Sequence, residues 1–599
     1  MNTMAVNETG SHLLGQELKR LSFGWTDYSL FTGLLGISVL IGVYFGCFGK
    51  KQDNTTEYLL GGKTMSWFPV AMSLIASHVS AVSLLAVPVE VYQYGTQYAA
   101  CIFTAVISCT LISLIYVPVF YQLQLTSTFE YLEMRFTRSV RTFASFLYTL
   151  SLIIYIPLII YVPALAFSQA TDINLYLITP VIGIVCIFYT TIGGLKAVVW
   201  ADTVQMTVTL GSLCAVFILG TIAVGGFAET WRISEAGSRI VFWNMDPSLS
   251  ARNSFWGMSI GMTLTWITGL GISQVSMQRF LSVPNLKEAH KAVAFMGVCI
   301  VAIKWVSVLT GLVMYTRYHK CDPISTNVIS RSDQLLPYYV LDVAENIPGL
   351  PGLFLAGLVS AGLSTMSAGL NTVAGTIYED FIDPWLPDNN NKETRAANIM
   401  KLIVVAVGML CLALVFLVAF LGDIFQVSLT LHGVTSGAML GIFTLGMLVP
   451  WATSKGAIAG GLLSMGLMVW VIIGAQINMA LKKLVYPPLP TSTEDCLKEE
   501  FNFNQTTTEA PPTPIPEDTP FALYTISFMY YTMVGFIVVM VVGTIVSFMT
   551  GVPDLKDVDR NHFPPIIQRF LPPKKYTEVP LHSVPTTLIT NQEKEKISA

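Results

Sequence analysis

The residues best placed to do chemistry lie in an apolar run, GLFLAGLVSAGLSTMSAGLN, residues 352–371. The run carries four hydroxyls, Ser360, Ser364, Thr365 and Ser367, and helical spacing puts Ser360, Ser364, Ser367 and Asn371 on one face, with Ala361 and Ala368 beside them. Hydrocarbon offers such a stripe no hydrogen bonds, so it must face other helices or a wet cavity. Neutral hydroxyl oxygens suit a hard cation or a polar solute; small hydroxyl residues also serve simply as helix-packing surfaces. Both readings stand on this stretch alone.

Two further stretches carry polar groups at membrane depth. The span 67–92 holds Ser73, Ser77, His78, Ser80 and Ser83. The span 254–281 holds four glycines around Thr263, Thr265, Trp266 and Thr268, followed by Ser273 and Gln274. Lys304, in IVAIKWVSVL, is a mid-span charge that costs about 2.5–3.5 kcal/mol on insertion scales. It invites an anionic partner, whether an acid of the chain or a solute. His78 is either a pH-sensitive element or a packing histidine.

These groups sit in a chain built for a bilayer. Of 599 residues, 53% are hydrophobic and only 12% charged, where a soluble domain carries about 25%. Apolar runs near 25–48, 67–92, 99–121, 142–168, 174–193, 198–226, 254–281, 292–316, 349–381, 399–421, 424–449, 456–478 and 522–549 suit helices of about 20 residues. That predicts an all-α membrane protein with thirteen transmembrane helices and its termini on opposite sides. A net charge of −4 without a basic block gives no sign of nucleic acid. Nine cysteines show no metal-type spacing, and no HExxH, GxSxG, Walker A or dinucleotide loop gives enzyme chemistry a foothold.

Lys and Arg concentrate in the loops around Lys50, Arg138, Lys287, Lys392 and the C-terminal tail, which marks those as cytoplasmic. The expected organisation is an extracellular segment 1–24, an extra first helix 25–48, a ten-helix core 67–449, two last helices within 456–549 joined by an extracellular loop 479–521, and a cytoplasmic tail 550–599. Glycosylation acceptors at Asn7 and Asn504 fall on the outer side of this scheme. Cys321 and Cys496 share that side, either paired as a disulfide or as free thiols.

The two most interrupted spans are the first and the sixth of the core. Interrupted spans five apart are the sequence sign of a five-plus-five inverted repeat, whose unwound backbone offers carbonyls to a cation and half-helix ends to a solute. Close packing at glycines is the competing reading.

Several segments resemble the sodium/solute symporter family: TSTFEYLEMRF (126–136), YVPALAFSQATD (161–172), GGLKAVVWADTVQ (193–205), GISQVSMQRFLS (271–282) and the opening stretch. The resemblance spans roughly residues 25–550. VFWNMDP, RYHKCDP and DQLLPYYVLD look most like its monocarboxylate, multivitamin and iodide branch. It implies the leucine-transporter fold, alternating access and import driven by Na+. It further implies a sodium site built from the carbonyls of Ala76, Val79 and Ala361 and the hydroxyls of Ser364 and Thr365, with Asp202 on the ion's exit route.

The resemblance places the solute among Ser80, Ser83, Tyr155, Trp266, Gln274, Thr430 and His432, with Lys304 a possible attraction for an anion. Lys304 lies one helical turn from the lysine that sugar carriers use. Ser83 replaces the larger His or Gln of sugar and iodide carriers, which argues against both cargoes. The implied function is a plasma-membrane symporter of a small organic anion, such as a monocarboxylate or vitamin. The alternatives are a transport-inactive sodium or solute sensor, or the same class carrying iodide, choline or sugar. Implied partners are sodium, a small solute and the lipid bilayer, with the oligomeric state left open.

Overall fold

The structure is a computed structural model that describes residues 23–44, 63–125, 127–171, 173–192, 195–387, 392–418, 424–496, 520–555 and 558–572. Asn7, Asn504 and most of the tail lie outside the described residues, as does much of the loop 479–521.

The described residues are helical throughout, with no strand among them. In order they form α1 (Trp25–Val43), α2 (Trp67–His78), α3 (Ala81–Tyr94), α4 (Thr96–Leu123), α5 (Thr128–Arg135), α6 (Arg138–Thr171), α7 (Leu175–Ile192), α8 (Leu195–Ala223) and α9 (Phe227–Ala236). There follow α10 (Gly257–Ile272), α11 (Gln274–Leu281), α12 (Leu286–Tyr318), α13 (Leu335–Val343), α14 (Leu350–Ile377), α15 (Lys392–Val418), α16 (Ile424–Leu448), α17 (Ser454–Ala480) and α18 (Tyr531–Met549).

Among the described residues, nine helices are long and apolar enough to cross a bilayer, and the bent pair α2–α3 makes a tenth. The other expected spans are helical at α1, α7 and α10 without reaching that standard. The count of thirteen crossings is therefore not confirmed.

Both expected interruptions are present. Helix α2 stops at His78; Val79 (ψ 75°) and Ser80 (ψ 162°) leave helical geometry, and α3 restarts at an angle of 59°. In the second case α10 carries π-helical turns at Gly257–Gly261 and Thr268–Ile272, then breaks at Ser273 (ψ 132°) before α11. Wide turns of this kind recur at functional sites because they displace backbone carbonyls from their regular partners.

The serine-rich helix α14 is central, packed against α1, α6 and α8. Its N-terminus is held by an acid from the extra helix: Asp27, 7% exposed, accepts from the backbone N–H of Gly349 (3.0 Å) and Gly352 (3.1 Å). A carboxylate there satisfies orphan donors and complements the helix dipole. At the opposite kind of terminus, Arg135 of the TSTFEYLEMRF motif donates to the carbonyls of Gly446, Val449 and Pro450 and closes the end of α16. Helices α17 and α18 pack on α16, where Gly437 and Gly535 let two backbones touch: a Cβ on Gly437 would lie 2.7 Å from the Cα of Gly535.

Cys321 and Cys496 form a disulfide. It pins the start of the 479–521 loop, whose Leu489 N–H donates to Gln93 O at the end of α3 (2.8 Å), while Ser492 O accepts from the Asp322 N–H (3.0 Å).

Candidate functional site

The breaks in α2–α3 and α10–α11 face one cavity of about 240 Å³. Five of the expected solute residues line it: Ser80 and Ser83 at the first break, Trp266 on α10, Tyr155 on α6 and His432 on α16. Their rings are packed in pairs. His78 meets Trp266 edge-on with centroids 5.0 Å apart, and Tyr155 lies 4.2 Å from His432. Such stacking fixes aromatic walls without freezing long flexible side chains.

Gln274 and Thr430 do not line the cavity. The Gln274 Oε1 accepts from the backbone N–H and hydroxyl of Thr128 at 2.7 and 3.1 Å, tying α11 to α5. Thr430 lies buried on another face of α16, whose cavity side is Phe425, Ser428, Leu429, His432, Thr435 and Ser436. The 3.6-residue period of the helix makes that division, since two positions from either Ser428 or His432 turns a side chain away.

Among the lining residues that escaped the sequence reading are Tyr98 and Thr435. Tyr98, at the start of α4, forms a wall beside Lys304, and Thr435 presents a buried hydroxyl with no hydrogen-bond partner among the described residues. Tyr98 belongs to a short irregular turn that periodicity does not capture, and Thr435 is one of many threonines in apolar runs.

Lys304 on α12 reaches the cavity wall. It is 5% exposed, its ammonium lies 5.7 Å from the centre of the Tyr98 ring, and it makes no ion pair with any described residue. Among the described residues no Asp or Glu lines the cavity. Lys304 is thus the one cation-bearing side chain of the described lining besides the imidazoles of His78 and His432, alongside the phenols of Tyr98, Tyr148 and Tyr155.

Helix α14, which carries Ala361, Ser364 and Thr365, packs against α2, which carries Ala76 near its end. Because α2 ends at His78, its last carbonyls, Ala76 among them, lose the donors a continuing helix would supply, while the Val79 carbonyl belongs to the unwound link. On α14 the Thr365 hydroxyl donates to the Ala361 carbonyl (2.9 Å) and lines the cavity, so ion-type oxygens and solute cavity share a wall. Neutral oxygens of this kind suit an ion that must be released as well as bound. Ser360 and Ser367 are fully buried in packing, Ser367 donating to Ser364 O.

Asp202 lies in the second turn of α8 at 1% exposure. It accepts from the hydroxyl of Ser364 and, at 2.6 Å, from that of Ser73 on α2. Arg279 of α11 pairs with it at 3.3 Å and donates to Ser73 Oγ at 2.7 Å. Arg279 reads in the sequence as one of the cytoplasmic loop charges. The structure corrects that: at 1% exposure it is an internal cation, balanced by an internal acid.

The model of the sodium:solute symporter family matches residues 58–464. The chain is 38% identical over 547 residues to mouse sodium-coupled monocarboxylate transporter 2, covering 91% of this chain and 87% of that protein. It is 37% identical to human sodium-coupled monocarboxylate transporter 1 (88% and 87% covered) and 34% identical to the rabbit sodium-dependent multivitamin transporter (88% and 83% covered). Among solved structures it resembles a substrate-bound, outward-open Na+-coupled sialic acid symporter, with a TM-score of 0.69 at 23% identity over 89% of this chain and 99% of the other. That likeness fixes the leucine-transporter fold.

Proposed function

The chain belongs to the sodium:solute symporter family and is a multi-pass, sodium-coupled solute symporter; from that premise we propose that its cargo is a small organic anion, a monocarboxylate before a vitamin. The observation that carries this is the cavity's charge. A lysine held in a low-dielectric pocket without a counter-ion among the described residues is costly, and a cargo carboxylate would supply the missing partner. A cavity of about 240 Å³ also falls below the ~300–1,000 Å³ of sites for drug-sized ligands, which favours a short acid. The relatives named for monocarboxylates and for multivitamins point the same way.

In this reading sodium enters first from outside and bridges α2 and α14 through Ala76, Val79, Ala361, Ser364 and Thr365. Tying those helices together completes the wall that Thr365 shares with the cavity. The carboxylate then takes its place beside Lys304, with Ser80, Ser83, Tyr155, Trp266 and His432 around the rest of the solute. Rearrangement of the broken helices opens the inner side, and Asp202 stands on the way out.

The gradient supplies about 2.3 kcal/mol per 100 mV for each charge moved and about 1.4 kcal/mol for a tenfold sodium ratio. One sodium balances the charge of one monoanion and leaves only the concentration term. The core 67–449 would reside in the plasma membrane, with the N-terminus and the Asn7 and Asn504 acceptors outside and the tail inside.

The test is sodium-dependent uptake and current in voltage-clamped oocytes offered lactate, butyrate, biotin, pantothenate, iodide, choline and glucose. Sodium-dependent uptake of lactate or butyrate is expected. Uptake confined to choline or glucose would overturn the assignment of an anionic cargo. Binding without uptake of any of them would identify a sensor instead.

A further inference from the structure

Asp202, Ser73, Arg279 and Ser364 come from four different helices and are all at or below 5% exposure. The Arg279 guanidinium bonds inside the cluster and its own helix through all three nitrogens: Nε on Ser73, Nη2 on Asp202, and Nη1 on the Val275 carbonyl at 3.0 Å. Asp202 in turn accepts hydrogen bonds from the hydroxyls of Ser73 and Ser364. The Ser364 proton is thus turned towards α8, and its oxygen, which accepts no hydrogen bond from a described residue, can offer its lone pairs to a cation.

We infer that Arg279 is a positioning residue that sets how tightly sodium is held: it neutralises Asp202, so that the carboxylate can aim the Ser364 hydroxyl without itself retaining the ion. The inference rests on the reading of Ser364 as a sodium ligand. Its physical basis is the reach of a buried charge. One hydrogen bond away from a cation, in surroundings of effective dielectric about 20, an uncompensated carboxylate raises affinity by an order of magnitude or more. A symporter that binds its ion that firmly releases it slowly. Arg279 pairs with the same oxygen that Ser73 contacts and leaves the other to Ser364, so compensation and aiming are divided between the two carboxylate oxygens.

The experiment uses the full-length protein with two measurements: sodium-dependent thermal stabilisation of purified protein without solute, and sodium-driven uptake in proteoliposomes. Arg279→Gln is expected to lower the half-saturating sodium about tenfold and to lower maximal uptake, and Arg279→Lys to stay near the parent. Asp202→Asn, which leaves the arginine unbalanced, is expected to raise half-saturation about tenfold without abolishing binding. The double variant Asp202→Asn with Arg279→Gln returns towards the parent, because net charge is restored.

A folded Arg279→Gln protein with unchanged or weakened sodium binding overturns the inference. So does complete loss of sodium stabilisation in Asp202→Asn, which would make the carboxylate a ligand. If Arg279→Gln does not fold, an unchanged half-saturation in Asp202→Asn overturns it equally. Ser364→Ala separates this from the reading beneath it: unaltered sodium binding in that variant removes the sodium site itself, whereas weakened binding there with an inert Arg279→Gln removes only the role of Arg279.

Discussion

Lys304 presents its ammonium beside the Tyr98 ring in a cavity with no carboxylate among its described lining residues. If it pairs with the cargo, Lys304→Met should raise the half-saturating concentration of lactate or butyrate at least about tenfold, the scale of one charge-assisted hydrogen bond. Lys304→Arg should keep most of the affinity, and sodium binding without solute should not change. Competition uptake measures the first and thermal stabilisation by sodium the second. On α14, Thr365 offers one neutral oxygen and leans on the Ala361 carbonyl. Removing it in Thr365→Ala takes one of the five proposed ligands, so half-saturating sodium is expected to rise about tenfold. A protein that reaches the surface normally and keeps the parent's sodium dependence would refute that placement.

The two broken helices are joined to each other on both sides of their breaks. On one side Arg252, just before α10, meets Glu90 of α3 with Nη2 and Oε2 2.9 Å apart, and Asn253 donates to the same acid at 2.7 Å. On the other side Arg279 of α11 holds Ser73 of α2. Two helices each cut in half gain a shared frame from these links, since neither half-helix has a continuous ladder to stiffen it. The Glu90 side chain is 1% exposed, so Arg252→Met would strand a buried carboxylate. The expected cost is about 3–5 kcal/mol, seen as a lower melting temperature of the purified protein. Restoring neutrality with Glu90→Gln in the same chain should recover a substantial part of it.

At the scale of the molecule, the Cys321–Cys496 disulfide joins positions 175 residues apart and fastens the first part of the 479–521 loop beside the end of α3. Arg239 strengthens the same seam by donating to the Leu489 and Pro490 carbonyls. Replacing both cysteines by serine should lower stability by about 2–4 kcal/mol. The lower part of that range is expected, because helices fixed in a bilayer already restrict the unfolded chain. Melting with and without reductant measures it, and the double serine variant should be indifferent to the reductant.

Sequence alone determined the class of the molecule, because hydropathy is a local property: about twenty apolar residues in a row have one stable home. It also picked out the two interrupted spans, 67–92 and 254–281, since helices broken by clustered Ser, Thr and Gly announce themselves in composition, while the break points at 79–80 and 273 came from the structure. Motif resemblance carried the sodium/solute family and the candidate ions and ligands. Tertiary structure alone decided which polar groups look at one another. Gln274 and Thr430 have the right chemistry and point elsewhere, towards Thr128 and into packing. Arg279 reads as a loop charge until a helix 77 residues away in sequence brings Asp202 to meet it. The Cys321–Cys496 pair was one of two readings until the loop was folded over the core. Each of these depends on the rotation of one helix against another, which is set by packing across the whole bundle and leaves no mark in the neighbouring residues.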